Sequence, residues 1–425
     1  MNRYLVILLL MSYQTVSHAA VWSNKNKWNA QWEDRYSLWV ASNYTKRIFL
    51  NGKYAGIKHD CADSAYFARL VFAYENKLPF VIKDPRFEAM SKEDFAKLAR
   101  DYPPETNYNP YAIVKPWITN DFDYYDKLPA KERFLRFIRF VGEFTGTESL
   151  MVDTYPVKLS RKWFRPGVIA ALPRIKIKGG PNAFLSQDST DPEREAESPG
   201  HAQIVTKVDK HGVIHYLKST VPAKLQAFQH TTLNSFVPDE KGGSFRLWKQ
   251  PDYYGKPENS LPGYGTGQYY LKGVFEDAMQ KRLAKVQESN DQKYFRLSSE
   301  VCHQVEQRVP VVNEAWKFKQ NIGGRCMDYG EFDSHSTPSR DGKIKKALKY
   351  LVQSATGSKE GDVKVVAKYL NKACGSIEYL PGKKITAAKF SQRLMAGKVS
   401  SDPNQAPAVR WGDQNPRKLG CKQFY

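Results

Sequence analysis

Between Asn26 and Asn43 the chain places Trp28, Trp32, Tyr36 and Trp39 at helical spacing, an aromatic stripe that predicts a helix packed on a core rather than a sugar-binding platform. Residues Ala62 to Tyr74 keep the same period, with Ala65, Phe67, Ala68, Val71 and Phe72 on one side, which puts Cys61 at or just before a helix's first turn. An insertion-like stretch from Lys83 to about Ser160 carries two more predicted helices, one opened by the box Ser91-x-x-Asp94 and one from Pro129 to Phe144. The period then shortens to two, and GVIAAL, HAQIVTKV, GVIHYLKS and SFRLWK read as strands. Between the first two of these, residues 173–200 form a polar loop rich in Gly, Pro and Ser, of the kind used as a lid or carried as an insertion. Residues 251–267 have linker composition, and beyond them five helical runs follow with no internal repeat. The expected fold is therefore α+β over residues 20–250, followed by a separate α-helical domain over 268–425.

Composition adds the class. The chain has 425 residues, 41% apolar and 13% aromatic, enough for two or three globular domains with real cores. Arg3, an apolar run of eight residues and the small-x-small pattern Ser17-His18-Ala19 read as a signal peptide over residues 1–19, which implies an exported protein, periplasmic or secreted. No later stretch is apolar enough to suggest an integral membrane segment. The net charge is +21, and residues Pro338 to Tyr425 alone carry 18 Lys/Arg against 6 Asp/Glu. Such a patch favours polyanions. Export argues against nucleic acid as partner and for an anionic envelope polymer, while nothing in the sequence sets the oligomeric state.

Five cysteines sharpen the picture. Cys302, Cys326, Cys374 and Cys421 fall in the helical domain, where they make two disulfides by one of three pairings. Cys61 stands apart at a helix start, where the dipole favours thiolate. A cysteine nucleophile needs a base, and His59, His201, His211, His215 and His230 are available. Among them His201, opening a strand after Pro199-Gly200, is the best placed.

Asp60-Cys61-Ala62 opening a helix, Arg165-Pro166-Gly167 before an apolar strand, and Gly200-His201 before another resemble, in order, the motifs of the NlpC-type cell-wall cysteine peptidases. The resemblance spans about residues 50–250. It implies a papain-like fold, Cys61 as nucleophile and His201 as base. Ala62-Asp63 stands where the family has Ser-Gly, and the spacings are longer, so the cleft is expected to be remodelled.

The residue behind the base stays open between two candidates. The family pattern nominates His215 in VIHYLKST. Strand register instead pairs Asp209 with Val213 and Lys207 with His215 around a three-residue loop, which leaves His215 about 20 Å from His201 at 3.3 Å per residue and sets Ser219 opposite Gln203. Backbone N–H of Cys61 would be the first oxyanion donor, with Tyr54 the nearest side-chain candidate. The expected function is an exported amidase or endopeptidase cleaving peptidoglycan peptides through a Cys61 thioester, with no metal or cofactor. The alternative is an inactive papain-like protein that binds or assembles the envelope.

Overall fold

The computed structural model describes residues 21–83, 116–117, 128–173, 176–178, 195–197, 200–240, 242–358 and 361–424. The expected signal peptide, the helix expected after Ser91 and most of the 173–200 loop lie outside the described residues.

Helix α1 (Ala30–Asn43) starts where Asn29 Oδ1 accepts from the Trp32 N–H at 3.0 Å. Its stripe and Trp28 gather around Phe72, all four ring centroids lying 5.4–6.3 Å from it, so the aromatics are core. Phe72 belongs to α2 (Asp63–Glu75), buried from Asp63 through Ala73 between α1, α3 (Ala130–Phe144) and a sheet. Its one cation, Arg69, is 3% exposed; it meets Glu33 through two N–H···O bonds of 2.9 and 2.7 Å and lies 3.3 Å over the Trp28 ring. A short helix, α4 (Thr147–Asp153), leads into the sheet.

The strands are β1 (Thr154–Pro156), β2 (Ile169–Leu172), β3 (His201–Val208), β4 (Ile214–Lys218), β5 (Gln229–Thr231) and β6 (Ser244–Trp248). They pair antiparallel in the order β1-β6-β2-β3-β4-β5. Alternation divides them between two cores. Ile169, Ala171, Ala202, Ile204 and Leu217 close on α2. Ala170, Leu172, Val205, Tyr216 and Phe245 face the other way, where Phe275, Met279 and Leu283 of α5 (Phe275–Leu283) cover them.

The β3–β4 hairpin turns as its sequence predicts: the Asp209 N–H donates to Val213 O at 3.0 Å, Gly212 sits at φ +76°, and Lys207 pairs with His215. Past that pair the register shifts, because Thr206 is an extra residue, a β-bulge. Ile204 then faces Leu217, and one step further Lys218, not the expected Ser219, falls opposite Gln203. A one-residue slip exchanges the faces of every residue beyond it.

The C-terminal region is built on α6 (Asn290–Asn321), opened by reciprocal Ser289 and Gln292 bonds, with α7 (Tyr329–His335), α8 (Pro338–Thr356), α9 (Ala367–Cys374) and α10 (Ala387–Met395). Leu297, Val301, Leu348, Leu351 and Trp411 lie in its core. The pairing is Cys302–Cys374 and Cys326–Cys421. It also holds a hairpin, β7 (Ser376–Leu380) and β8 (Lys383–Thr386), which the all-helical reading missed although Ile377 and Tyr379 alternate with exposed residues ahead of Pro381-Gly382.

Residues 251–267, read as a linker, run along the sheet. Tyr254 Oη donates to Asp153 Oδ1 at 2.9 Å, Tyr264 bridges Val157, and just beyond the segment Gln268 Oε1 accepts from the Phe245 N–H at 2.6 Å. The two regions touch closely: Glu300 of α6 accepts from Thr231 Oγ1 at 2.6 Å and the Thr232 N–H at 2.9 Å, and Lys346 of α8 donates to Asn234 O at 3.2 Å. No helix among the described residues is long and apolar enough to cross a membrane.

Candidate active site

Asp60 starts α2, its Oδ1 accepting from the N–H groups of Ala62 and Asp63 at 3.0 and 3.2 Å, and Asp63 Oδ2 accepts from the Asp60 N–H at 2.8 Å. This reciprocal turn sets Cys61 at the start of the helix that packs on β3, an interior strand of the sheet. Cys61 is 5% exposed and the one free cysteine, and Ala202, the residue that follows His201 on β3, shares a core with Ala62 and Ala65. The expectation of a stabilised thiolate is reversed. Burial, then the Asp60 carboxylate, push the thiol up to about 12; the Ala202 N–H opposes them and loses. The Asp60 carboxylate at the helix start offsets the charge that the helix end would supply.

Asp63 itself is 2% exposed with Oδ1 unbonded, and its pKa is raised, by burial first and by Asp60 second. A carboxyl whose folded pKa lies above its unfolded one contributes stability at low pH that is lost as pH rises through the folded value. Asp63→Asn is therefore expected to flatten the pH dependence of stability between pH 4 and 9 and to raise the unfolding midpoint at the alkaline end. Urea titrations at stepped pH test this; a parallel loss at every pH would refute it.

His201 keeps a half-buried ring whose Nε2 is shut from solvent and has no hydrogen-bond partner among the described residues, so that nitrogen is not bonded to the thiol. Burial, then Lys343, then Lys218 hold the imidazole well below its usual pKa, hence neutral near pH 7. By alternation His201 shares its face with Gln203 and Lys218, while Ala202 faces α2.

The two candidates for a third residue go elsewhere. Ser219 Oγ bonds His59 Nδ1 at 2.8 Å and accepts from Gln226 Nε2 at 2.8 Å. His59, fully buried, is completed by Gln226 O at 3.0 Å, and burial pushes it down to about 4. His215 bonds His230 through Nδ1···Nε2 at 3.1 Å, with Asp209 at 3.9 Å, at the hairpin end of the sheet. Tyr54 donates to Glu75 Oε1 at 2.8 Å and packs on Phe134, a core tyrosine and no oxyanion donor. His211 bonds Val286 O at 3.2 Å in the docked turn.

The motif glycines are explained by space. Gly167, at φ +93°, would place a Cβ 2.7 Å from the Tyr36 ring, and Gly200, at φ +73°, would place one 2.2 Å from Thr147 Oγ1. Arg165 pairs with Asp34 of α1.

Two groups beside the site had no signal in the sequence. Lys218, 2% exposed, arrives through the Thr206 bulge, and burial draws it down to about 8. Lys343, on α8, is held well below the usual lysine range by burial, then by Lys218 and Arg340; Cys61 and His201 both lie within its electrostatic reach. No family model, curated protein or solved structure matches this chain.

Proposed function

We propose that the protein is an exported cysteine hydrolase of papain-like fold that cleaves amide bonds in peptidoglycan peptides, held here in a closed resting state. The observation that carries this reading is the meeting of a free cysteine at the start of a buried helix with the histidine-bearing strand on which that helix packs, Ala202 lying in one core with Ala62 and Ala65. In the working state the His201 ring, which lies on the face of β3 opposite α2, would have to swing around the strand's first residue to take the Cys61 proton; the thiolate would add to the amide carbonyl, and the same imidazolium would protonate the departing amine. Water would then release the acyl group from the thioester. Closure over the thiol fits a site that must open to admit a peptide strand, and the two disulfides and the terminal sequence support export.

A second reading has its own observation. A protonated, covered thiol and an imidazole Nε2 with no bond to it fit an inactive papain-like envelope protein. Purified sacculi separate the two. Soluble muropeptides from the parent chain, absent with Cys61→Ala and His201→Ala, support the hydrolase. Equal release by Cys61→Ala sinks it, and sedimentation of all three chains with sacculi without release establishes the second reading.

A further inference from the structure

Where β4, β5 and the β5–β6 connection meet α6 and α8, a cavity of about 20 Å³ is lined by Lys218, Thr231, Ser235, Glu300, Gln304 and Lys343, among others. Three lysines line it. Two of them, Lys218 and Lys343, have no side-chain hydrogen bond or ion pair among the described residues, although Lys218 is 2% exposed. Buried lysines are ordinarily paired, because an ammonium removed from water loses its solvation. The one acid there, Glu300, is already engaged: Thr231 Oγ1, the Thr232 N–H and Gln304 Nε2 donate to it at 2.6, 2.9 and 2.9 Å. The neighbouring Lys346 is also engaged, with Asn234 O at 3.2 Å and Glu276 at 3.4 Å. Arg340, on the preceding turn of α8, points its guanidinium at Gln307 Oε1 at 3.1 Å.

We infer that Lys218 and Lys343 form a subsite for a carboxylate group of the substrate, and that the C-terminal region therefore supplies a binding residue to the site on the sheet. The cavity is small, and a compact, singly charged carboxylate is the anionic group of a peptide substrate that would enter it beside Glu300. Thr231 and Gln304 line the same space. Neither Cys61 nor His201 lines the cavity; Lys343 links it to them, lying within electrostatic reach of both, and taking the bound group as part of the molecule whose amide is cleaved rests on the hydrolase reading. A bound anion would return to both ammoniums part of the solvation that burial removes, set against repulsion from the Glu300 carboxylate in the same lining.

The test is binding, not turnover. N-acetylglycine and N-acetylglycinamide, matched in size and differing in charge, are titrated calorimetrically into the full chain at constant ionic strength. The acid is expected to bind and the amide to bind at least tenfold more weakly. Lys218→Met and Lys343→Met should each weaken the acid about ten- to a hundredfold, as for loss of a charged hydrogen bond. Lys343→Arg, which keeps the charge, should restore most of the affinity and guards against a merely misfolded variant. Equal binding of acid and amide, no binding of either, or full affinity in both Met variants overturns the inference. Assaying the parent chain on sacculi beside the titration separates the two claims: carboxylate binding by a parent chain that releases nothing from sacculi leaves the subsite standing and removes the hydrolase.

Discussion

Asp341→Ala is expected to cost about 3–5 kcal/mol of unfolding free energy, the usual penalty for removing one partner of a buried ion pair. Asp341 receives Arg308 Nε at 2.7 Å and Nη2 at 3.2 Å, Thr337 Oγ1 at 2.8 Å and Ser401 Oγ at 2.7 Å. The Arg308 side chain is fully enclosed, and these bonds hold the acid below the ordinary carboxylate range despite its burial. Arg410 lies in the same core, brought down to about 9 by burial and by Arg308, with Nε and Nη1 unbonded. Without Asp341, two guanidiniums would face each other with their strongest shared anion gone. Guanidinium chloride titration with disulfides intact measures the loss. Below about 1 kcal/mol, the pair does not hold the region together. Arg308→Met with Asp341→Leu should recover part of the loss, since no charge is then stranded.

Cys61 should label far more slowly than a free thiol. With its pKa near 12 against an ordinary 9.0, the thiolate is about a thousandfold scarcer at neutral pH. Higher intrinsic nucleophilicity of a basic thiolate returns part of that factor, and burial removes more, so labelling by iodoacetamide is expected at least about tenfold below a model thiol. The rate should climb with pH well beyond 9, where a model thiol has levelled off. A rate faster than the model thiol near pH 7 would show that the closed site opens freely and would contradict the acid-flanked geometry.

Much of the scaffold was legible. Strong period-two runs returned β2, β3, β4 and β6, and Pro129 marked the start of α3. The hairpin loop was legible too, because Gly212 supplies the left-handed conformation. What escaped was non-local. The bulge at Thr206 has no residue signature, yet it replaces Ser219 by Lys218 on the His201 face. Lys343 lies 282 positions after Cys61 and comes within its electrostatic reach only through the packing of the C-terminal region, where Lys346 of α8 bonds Asn234 O. Asp60 was read correctly as a cap, but its charge, with that of Asp63, works against the thiolate that the helix start alone would favour. The short edge strands β1 and β5, three residues each, carry too few positions to show a period.

The two disulfides enclose overlapping stretches, 302–374 and 326–421, and α8 lies inside both. Closing loops of this length is worth about 4–5 kcal/mol each by chain-entropy reasoning. A chain with its thiols still reduced thus carries Lys343 on a helix whose surroundings are much more weakly held, and the basic cavity is complete only after oxidation. The site would then mature with the chain's surroundings, assembled by the same chemistry that cross-links the region behind it.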